Sequence, residues 1–258
     1  MVSMTTDITT NVATTTNALR LTGAITDIDL SLHTGLDQEQ IRLMDEVCIV
    51  VGKDDKPVGS ASKKTCHLMT NIKAGLLHRA FSVFLFNTNN QLLLQKRADG
   101  KITFPQMWTN TCCSHPLAIA GEYGDCIETS VEGVKIAAQR KLEHELGIPN
   151  EDVPLEDFHF LTRIHYLAPS DVIWGEHEID YILFIQKDVR LDINLNEVSE
   201  TRYVTQEQLK EMLKDPMLSH TPWFKLIYET FLYKWWNELG SNIKNIQVLK
   251  DLETIHRM

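Results

Sequence analysis

One apolar helix face constrains this chain more than any other feature of its sequence. Between positions 131 and 146, apolar residues recur at three- and four-residue spacing and so share one side of a helix. The stripe consists of Val131, Val134, Ala138, Leu142 and Leu146. Gly147 and Pro149 follow as a C-terminal cap and a helix breaker. The pattern therefore predicts a helix over residues 131–146.

Short apolar runs on both sides of this helix are typical of β-strands bounded by turns. They predict strands at residues 47–51, 79–86, 92–95, 158–166 and 177–185, with turns at 53–56 and 87–90, and further helices at 206–214 and 223–239. Residues 1–35 lack strong periodicity, so we interpret them as a flexible N-terminal arm and residues 36–258 as the folded domain. Strands with interspersed helices and no internal repeat indicate an α/β fold, a single layered α+β domain.

Composition excludes some classes of protein. The chain is 43% hydrophobic, enough for a substantial core, but its longest apolar runs, such as residues 181–185, are strand-sized. A bilayer span needs about 20 apolar residues, so no membrane partner is expected. A formal net charge of -10 argues against nucleic acid, which requires a basic face, but leaves room for a small anionic ligand in a locally positive pocket.

The cysteines and the two termini bear on the cellular compartment. Five cysteines at irregular spacing, two of them adjacent at Cys112 and Cys113, favour free thiols in a reducing compartment. The first residues are rich in threonine and lack the apolar core of a signal peptide, so we expect a cytoplasmic protein. The terminal His256-Arg257-Met258 loosely resembles a peroxisomal Ser-Lys-Leu signal; an ordinary helical tail is the alternative.

Four segments carry polar side chains that a core does not need. They are KKTCHLMTNIKAGLLHRAF with His67 and His78, KITFPQMWTNTCCSHP with Cys113 and His115, RKLEHELG with Glu145, and WGEHEIDYILF with Glu176 and Glu178. Any one of these residues alone is more often an ordinary surface or core residue. Their joint presence points to a site.

The acidic segment favours a bound cation. On a strand, side chains alternate between faces, so Glu176, Glu178 and Asp180 would share one face and repel each other unless a positive ion lay between them. Histidines combined with carboxylates suit Zn²⁺, Mn²⁺ or Mg²⁺. The alternative is an exposed acidic strand end without a ligand.

Cys113 lies two residues before His115. A metal on that histidine would place positive charge near the thiol and favour the thiolate, which can act as a base. A buried structural cysteine is the alternative.

Together these segments resemble type I isopentenyl diphosphate isomerase of the eukaryotic kind. The resemblance covers about residues 40–240 and is carried, in the family's order, by LLHRAFSVFLFN, KITFP, TNTCCSHP, AAQRKLEHELGIP, LTRIHY, WGEHEIDYILF and TPWFK. TNTCCSHP and WGEHEID are the most specific of these motifs. The resemblance implies a Nudix-like fold, in which helices sandwich a mixed β-sheet.

The Nudix helix pattern G-x5-E-x7-R-E-U-x-E-E-x-G-U, where U is apolar, is matched in part. The matching positions are Glu132, Arg140, Leu142, Glu145, Gly147 and Ile148. Cys126, Lys141 and His144 replace the first glycine and two of the glutamates. Nudix hydrolases use those glutamates to hold the metals that activate water, so their replacement argues against diphosphate hydrolysis and agrees with the isomerase family.

The resemblance also implies roles for individual residues. The first-metal ligands are His67, His78, His115, Glu176 and Glu178, and Glu145 helps to bind a second ion, Mg²⁺ on the substrate diphosphate. The catalytic acid–base groups are Cys113 and Glu178, assisted by Tyr166. The substrate-binding residues are Lys63, Arg97, Lys101 and Lys141 near the diphosphate and Trp223 beside the alkene.

The implied reaction is the interconversion of isopentenyl and dimethylallyl diphosphate by protonation and deprotonation, within isoprenoid and sterol biosynthesis. Two alternatives stay open on the residues alone, namely a Nudix hydrolase of a diphosphate substrate and a non-catalytic zinc-stabilised domain. We expect a small-molecule substrate as the only partner, and a monomer or weak dimer.

Overall fold

Ten strands of the described residues form one mixed sheet that helices cover on both faces. The structure, a computed structural model, describes residues 26–28, 30, 35–240 and 243–258. The strands are β1 Val47–Val51, β2 Pro57–Ser62, β3 His78–Phe86, β4 Leu92–Arg97, β5 Trp108–Thr109, β6 Cys112–Ser114, β7 His159–Pro169, β8 Gly175–Gln186, β9 Val198–Val204 and β10 Ile255–Arg257. The α-helices are α1 Gln38–Leu43, α2 Lys63–His67, α3 Met69–Lys73, α4 Ile127–Leu146, α5 Gln206–Lys214, α6 Pro222–Ile227 and α7 Tyr233–Leu239.

The centre of the sheet is the parallel pair of β3 and β8. The strand order is β10-β7-β8-β3-β1-β2, and β4, which pairs with β3, also pairs with β5 and β9. Every residue of β3 is buried, as is all of β8 except His177 and Gln186. Strands covered on both faces become continuous apolar runs, which explains the run at residues 181–185.

Side-chain alternation on β3 divides the core into two layers. Phe81, Val83 and Leu85 belong to the cluster beneath α4, whereas Phe84 and Phe86 belong to the aromatic cluster beneath α6 and α7. The fold class predicted from the sequence, a single α/β domain with a mixed sheet between helices, is therefore confirmed. None of the described helices combines the length and the apolarity that crossing a membrane requires.

The helix predicted at 131–146 is confirmed but begins earlier, at Ile127. Its stripe is wholly buried from Val134 onward, and it ends at Gly147, whose φ of 64° is the left-handed conformation that glycine favours. The additional first turn is polar and so lacks an apolar signal. It is stabilised instead by Thr129, whose hydroxyl accepts the Cys126 N–H at 3.2 Å.

The other predicted elements agree in position and differ at their ends. The strand at 47–51 and the helix at 206–214 have the predicted bounds. The helix predicted at 223–239 is interrupted by a π-helical turn over Tyr228–Leu232. The three C-terminal residues do not form a helical tail, because β10 pairs in parallel with β7 and the Met258 N–H donates to the His165 carbonyl at 3.0 Å.

The predicted arm at residues 1–35 falls mostly outside the described residues. Of the described part, Leu30 is buried against Met44, Leu68 and Trp174. The boundary between arm and domain therefore stays a prediction. All five cysteines are free thiols.

A buried ionic network connects the β1–β2 turn to the sheet, and it predicts a large loss of stability for Asp55→Asn. Asp55 accepts from Arg79 Nε at 3.0 Å, from Arg163 at 3.1 Å and from the Tyr181 hydroxyl. Asparagine tolerates the φ of 65° at this position, so the substitution mainly removes charge. Leaving two buried guanidinium groups uncompensated should lower the free energy of unfolding by about 3–5 kcal/mol, measured by urea denaturation.

Asp54→Asn is the matched control, because the Asp54 carboxylate is exposed and only pairs with Lys56 at 3.3 Å. It should change the free energy of unfolding by no more than about 0.5 kcal/mol. Equal denaturation midpoints for the two variants would show that the buried network does not carry this stability.

Candidate active site

One pocket contains most of the predicted site residues. Its walls are formed by Gln40, Met44, Lys63, His67, Arg97, Lys101, Ile102, Thr103, Cys113, Ser114, His115, Glu145, Tyr166, Glu176, Glu178 and Trp223. Of the residues predicted to form the site, His78 and Lys141 are buried behind this wall. Gln40 and Met44 were not predicted, since they come from α1 and its C-terminal cap and carry no motif.

Three histidines and two glutamates meet at one side of the pocket. The three imidazole rings of His67, His78 and His115 have centroids 4.9 Å apart in every pair. Ligand atoms of these residues and of Glu176 and Glu178 all lie within 4.8 Å of one another. The sheet register produces this arrangement, because His78 of β3 lies beside Glu178 of β8.

Asp180 shares the face of Glu176 and Glu178 but lies apart from the histidines. It accepts a hydrogen bond from the Ser82 hydroxyl at 2.8 Å and is buried. Burial, and next the charge of Glu178, raises the pKa of Asp180 well above its usual range. Burial thus favours the neutral acid at Asp180, which would reduce the repulsion among the three carboxyl groups on this face.

The hydrogen bonds of the cluster leave lone pairs that fit a divalent cation. His67 Nδ1 donates to the Lys63 carbonyl at 2.6 Å, so its Nε2 carries a lone pair. That Nε2 lies 2.7 Å from Glu176 Oε2, yet neither atom has a hydrogen-bond partner. As a carboxylate, Glu176 would repel this lone pair, and a cation bound to both atoms would remove the repulsion.

The protonation states also fit a metal. Burial, assisted by the charge of Lys63, lowers the pKa of His67 to about 4, and burial holds the pKa of His115 well below its usual range. Neutral imidazole is the form that binds metals. Burial, then the neighbouring Glu178, raises the pKa of Glu176 well above normal. A cation would compensate the buried negative charge.

Glu178 connects the cluster to the rest of the pocket. Burial by itself would raise its pKa, but a hydrogen bond with His115 at 2.8 Å and the proximity of His78, whose Nε2 lies 3.2 Å away, hold the pKa well below its usual range. Its other oxygen accepts the Tyr166 hydroxyl at 2.5 Å. One carboxyl group is thus shared between the possible metal ligands and a phenol in the pocket wall.

The two adjacent cysteines point to opposite sides of β6, as alternation on a strand requires. Cys113 is half-buried and lines the pocket, whereas Cys112 is buried toward α4 with its Sγ 3.6 Å from Glu145. Burial raises the pKa of Cys113 to about 12, although the charge of Arg97 and a hydrogen bond with Thr109 lower it. The thiolate that we expected is therefore disfavoured by burial in the protein alone.

Aromatic side chains form another wall of the pocket. The Trp223 indole N–H donates to Asn110 Oδ1 at 3.2 Å. Its ring lies 6.2 Å from Tyr166 and meets Phe104 edge-on at 5.1 Å, measured between centroids. The Arg97 guanidinium carbon is 5.8 Å from the indole centroid. The wall combines apolar surface with a negative π-face, which suits a developing cation.

Basic residues line the pocket away from the metal cluster. Arg97 donates to the carbonyls of Thr103 and Phe104, and Lys101 donates to Glu197 Oε2 at 2.7 Å. Lys63 begins α2 and also faces the pocket. These three cations provide a positive surface for an anionic group in a chain of net negative charge.

Glu145 of α4 lies beside these basic residues. It accepts from Gln95 at 3.0 Å, and Lys141 Nζ is 3.2 Å away. Burial raises its pKa, but Lys141, Lys101 and the hydrogen bond from Gln95 together outweigh burial and the pKa is lowered, so a carboxylate is available in the pocket wall. Lys141 itself is directed between Glu145 and Glu197 rather than into the pocket.

Removing bound metal is predicted to lower thermal stability. A ligand at about 100 times its dissociation constant contributes about 2.7 kcal/mol to the folded state. For a chain of this size that corresponds to a fall in Tm of about 5–10 °C on chelation, followed by calorimetry and reversed by added Zn²⁺, Mn²⁺ or Mg²⁺. Glu176→Gln, which weakens the site, should show a smaller shift. Identical melting curves with and without chelator would contradict a metal site here.

Known proteins share both the sequence and the fold. The NUDIX domain family matches residues 76–224. The isopentenyl-diphosphate delta-isomerase of Gibberella zeae is 65% identical over 243 residues, which cover 93% of this chain and 95% of that protein. The Schizosaccharomyces pombe enzyme of the same name is 63% identical over 208 residues, covering 81% and 91%. The Bos taurus isopentenyl-diphosphate delta-isomerase 1 is 53% identical over 226 residues, covering 86% and 96%.

A crystal structure of a Deinococcus radiodurans protein superposes with a TM-score of 0.50 at 15% identity and covers 72% of this chain and all of that one. At this identity the likeness shows the fold alone. The sequence matches extend over most of both partners, from fungi to a mammal. On this ground the chain belongs to the isopentenyl-diphosphate delta-isomerase family and is built on a NUDIX domain.

Proposed function

We propose that this chain interconverts isopentenyl diphosphate and dimethylallyl diphosphate, as a step of isoprenoid and sterol biosynthesis, with Glu178 and Cys113 as its acid–base pair. The observation that carries the proposal is the pairing of these two groups in one pocket, where Glu178 is held by His115 and Tyr166 and Cys113 lies on a separate strand. The reaction moves a double bond, so it needs a proton donor and a proton acceptor.

The diphosphate would bind to the basic wall formed by Lys63, Arg97 and Lys101. Lys141 would act indirectly, since its charge lowers the pKa of Glu145 and keeps that residue ionised. Glu145 would supply an oxygen ligand to Mg²⁺ on the diphosphate. Anchoring the charged end in this way places the hydrocarbon end among the aromatic residues and excludes water from it.

The metal at the cluster would be held by His67, His78, His115, Glu176 and Glu178, and Zn²⁺, Mn²⁺ and Mg²⁺ all accept this donor set. When bound, it would make the proton on Glu178 more acidic.

The first step is the transfer of a proton from Glu178, assisted by the Tyr166 hydroxyl, to the terminal methylene C4 of isopentenyl diphosphate. The low pKa of Glu178 in the protein alone means that its protonated form is scarce but strongly acidic, as protonation of an unactivated alkene requires. The alkene electron pair forms the new C–H bond, and C3 becomes a tertiary cation. The Trp223 indole would stabilise that cation by about 2 kcal/mol or more in a dry pocket.

Cys113 would complete the reaction. Its sulfur, as thiolate, takes a proton from C2, and the electron pair of that C–H bond becomes the C2–C3 double bond of dimethylallyl diphosphate. Arg97, whose charge lowers the thiol pKa against the effect of burial, favours the reactive form. The reverse reaction exchanges the roles of the two groups.

The alternative activity of a Nudix hydrolase is disfavoured by α4. Lys141 and His144 occupy two positions where the hydrolase pattern has glutamates, and Lys141 Nζ lies 3.2 Å from Glu145. Lys141 thus places an ammonium group where the hydrolase pattern has a metal-binding carboxylate. A closed structural zinc site is also disfavoured, because His67, His115, Glu176 and Glu178 line an open pocket.

Proton NMR of the purified protein with isopentenyl diphosphate and Mg²⁺ in D₂O tests the proposal. We expect dimethylallyl diphosphate to form, with deuterium in the methyl group derived from C4 and at exchangeable positions on C2. Release of inorganic phosphate or a monophosphate would support hydrolysis instead. An unchanged substrate in the presence of bound metal would contradict catalysis.

We further propose that residues 36–258 form the catalytic domain and residues 1–35 an arm, and that the protein acts in the cytoplasm as a monomer or weak dimer. The folded segment that begins at Gln38 supports the boundary, and five free thiols support a reducing compartment.

A further inference from the structure

A buried polar cluster lies directly behind Cys113 and Trp223. Thr109, Asn110 and Thr221 are each fully buried, and none of them lines the pocket. Buried polar groups cost stability unless they are hydrogen-bonded. Three buried polar side chains next to Cys113 and Trp223 therefore call for an explanation.

Asn110 has a single possible orientation. Its Oδ1 accepts from Trp223 Nε1 at 3.2 Å and from the Thr109 hydroxyl at 3.0 Å. Its Nδ2 donates to the carbonyls of Val83 at 3.1 Å and Cys112 at 3.0 Å. All of its hydrogen-bonding groups are used, so the amide holds the indole ring to the backbone that immediately precedes Cys113.

Thr109 connects this amide to the sulfur. Its hydroxyl donates to Asn110, which leaves its two lone pairs free to accept. Thr221 Oγ1 lies 2.8 Å away and can donate to Thr109. Cys113 Sγ lies 3.6 Å away, so the thiol can donate to Thr109, and when the sulfur is ionised the Thr109 hydroxyl can turn from Asn110 and donate to the thiolate, the bond that lowers the thiol pKa. The Thr109 hydroxyl therefore fixes the position of the Cys113 sulfur relative to the indole.

The backbone strengthens this connection. The Trp108 N–H donates to the Ser219 carbonyl at 2.8 Å, and the Thr221 N–H donates to the Trp108 carbonyl at 3.0 Å. These bonds join β5 to the residues that precede α6, the helix that carries Trp223. The Cys113 sulfur and the Trp223 indole are thus connected to the same buried polar cluster, although the two residues lie 110 positions apart in sequence.

We propose that Thr109 is a positioning residue for the deprotonation step, and that with Asn110 it holds the Cys113 sulfur and the Trp223 indole in one fixed geometry around the substrate. The inference rests on the proposed function. The tertiary cation has two exits: Cys113 takes the C2 proton and gives product, or Glu178 takes a proton back from the new methyl group and returns the substrate. A displaced sulfur slows only the first exit.

This competition gives a readout that does not depend on how much enzyme is active. In D₂O, return of the cation leaves deuterium at C4 of the recovered isopentenyl diphosphate, because the methyl group formed by deuteration carries both isotopes. The ratio of this exchange to product formation, measured by NMR at low conversion, reports how the cation divides between the two exits.

The variants are Thr109→Val, Thr109→Ser and, as matched control, Thr221→Val, which removes a hydroxyl of the same cluster that does not contact the sulfur. Thr109→Val should lower kcat by about 10–100-fold with little change in KM and should raise the exchange ratio. Thr109→Ser, which keeps the hydroxyl, should restore both. Thr221→Val should leave the ratio unchanged. Where Thr109→Val does not fold, Thr109→Ala removes the same hydroxyl without adding an apolar branch.

The inference is overturned by an unchanged exchange ratio in folded Thr109→Val or Thr109→Ala, by a serine variant as impaired as the valine variant, or by an equal rise of the ratio in Thr221→Val. A failure of the proposed function has a different signature, since the wild-type protein would then form no dimethylallyl diphosphate at all.

Discussion

Replacing Cys113 by alanine should lower kcat by about 10³–10⁴-fold, because it removes the group proposed to accept the C2 proton. The fold and the metal content should be unaffected, since the thiol is half-buried on the pocket wall and lies outside the His/Glu cluster. Steady-state turnover by NMR, metal analysis and a melting curve on the same preparation test the three parts of this expectation.

Cys112→Ala is the matched control for that variant. Cys112 is the adjacent residue and has the same side chain, but it is buried on the other side of β6 against Glu145. Its replacement should cost some stability and change kcat by no more than about tenfold. Full activity in the Cys113 variant, or a larger loss in the Cys112 variant, would overturn the choice of Cys113 as base.

Local patterns were sufficient to predict much of the fold. The stripe ending at Leu146, followed by Gly147, predicted α4 because helical periodicity and the left-handed cap are properties of neighbouring residues. The alternation of Glu176 and Glu178 on β8 is local in the same sense, and it correctly placed the two carboxylates on one face of the sheet.

Contacts between distant segments could not be predicted in this way. The parallel pairing that brings His78 beside Glu178 joins positions 100 residues apart, and the sequence carries no sign of its register. The pocket wall formed by Gln40 and the bond between Trp223 and Asn110 likewise depend on packing. The roles of the site residues were predicted from the family resemblance, because periodicity does not connect distant segments, and they stay predictions.

The electrostatic environment of individual side chains could not be predicted from the sequence either. We expected positive charge to favour the Cys113 thiolate, but burial raises the pKa of the thiol to about 12 in the protein alone. Lys141 is a related case. It lies one helical turn before Glu145, so helical spacing places the two residues on one face of α4. The sequence prediction placed the Lys141 ammonium near the substrate, whereas the structure directs it toward the Glu145 carboxylate.

Glu178→Gln should remove both metal affinity and turnover, because this residue is proposed to act as a ligand and as the acid. Glutamine keeps the shape but has neither the charge that binds a cation nor the carboxyl proton that reaches C4. We expect kcat to fall by about 10³-fold or more and metal affinity by at least about 10–100-fold. Glu176→Gln is the matched control, since Glu176 belongs to the same cluster while the Tyr166 hydroxyl bonds Glu178 instead. Saturating metal should restore much of the activity of the Glu176 variant and none of that of the Glu178 variant, and equal recovery of the two would reduce Glu178 to a metal ligand alone.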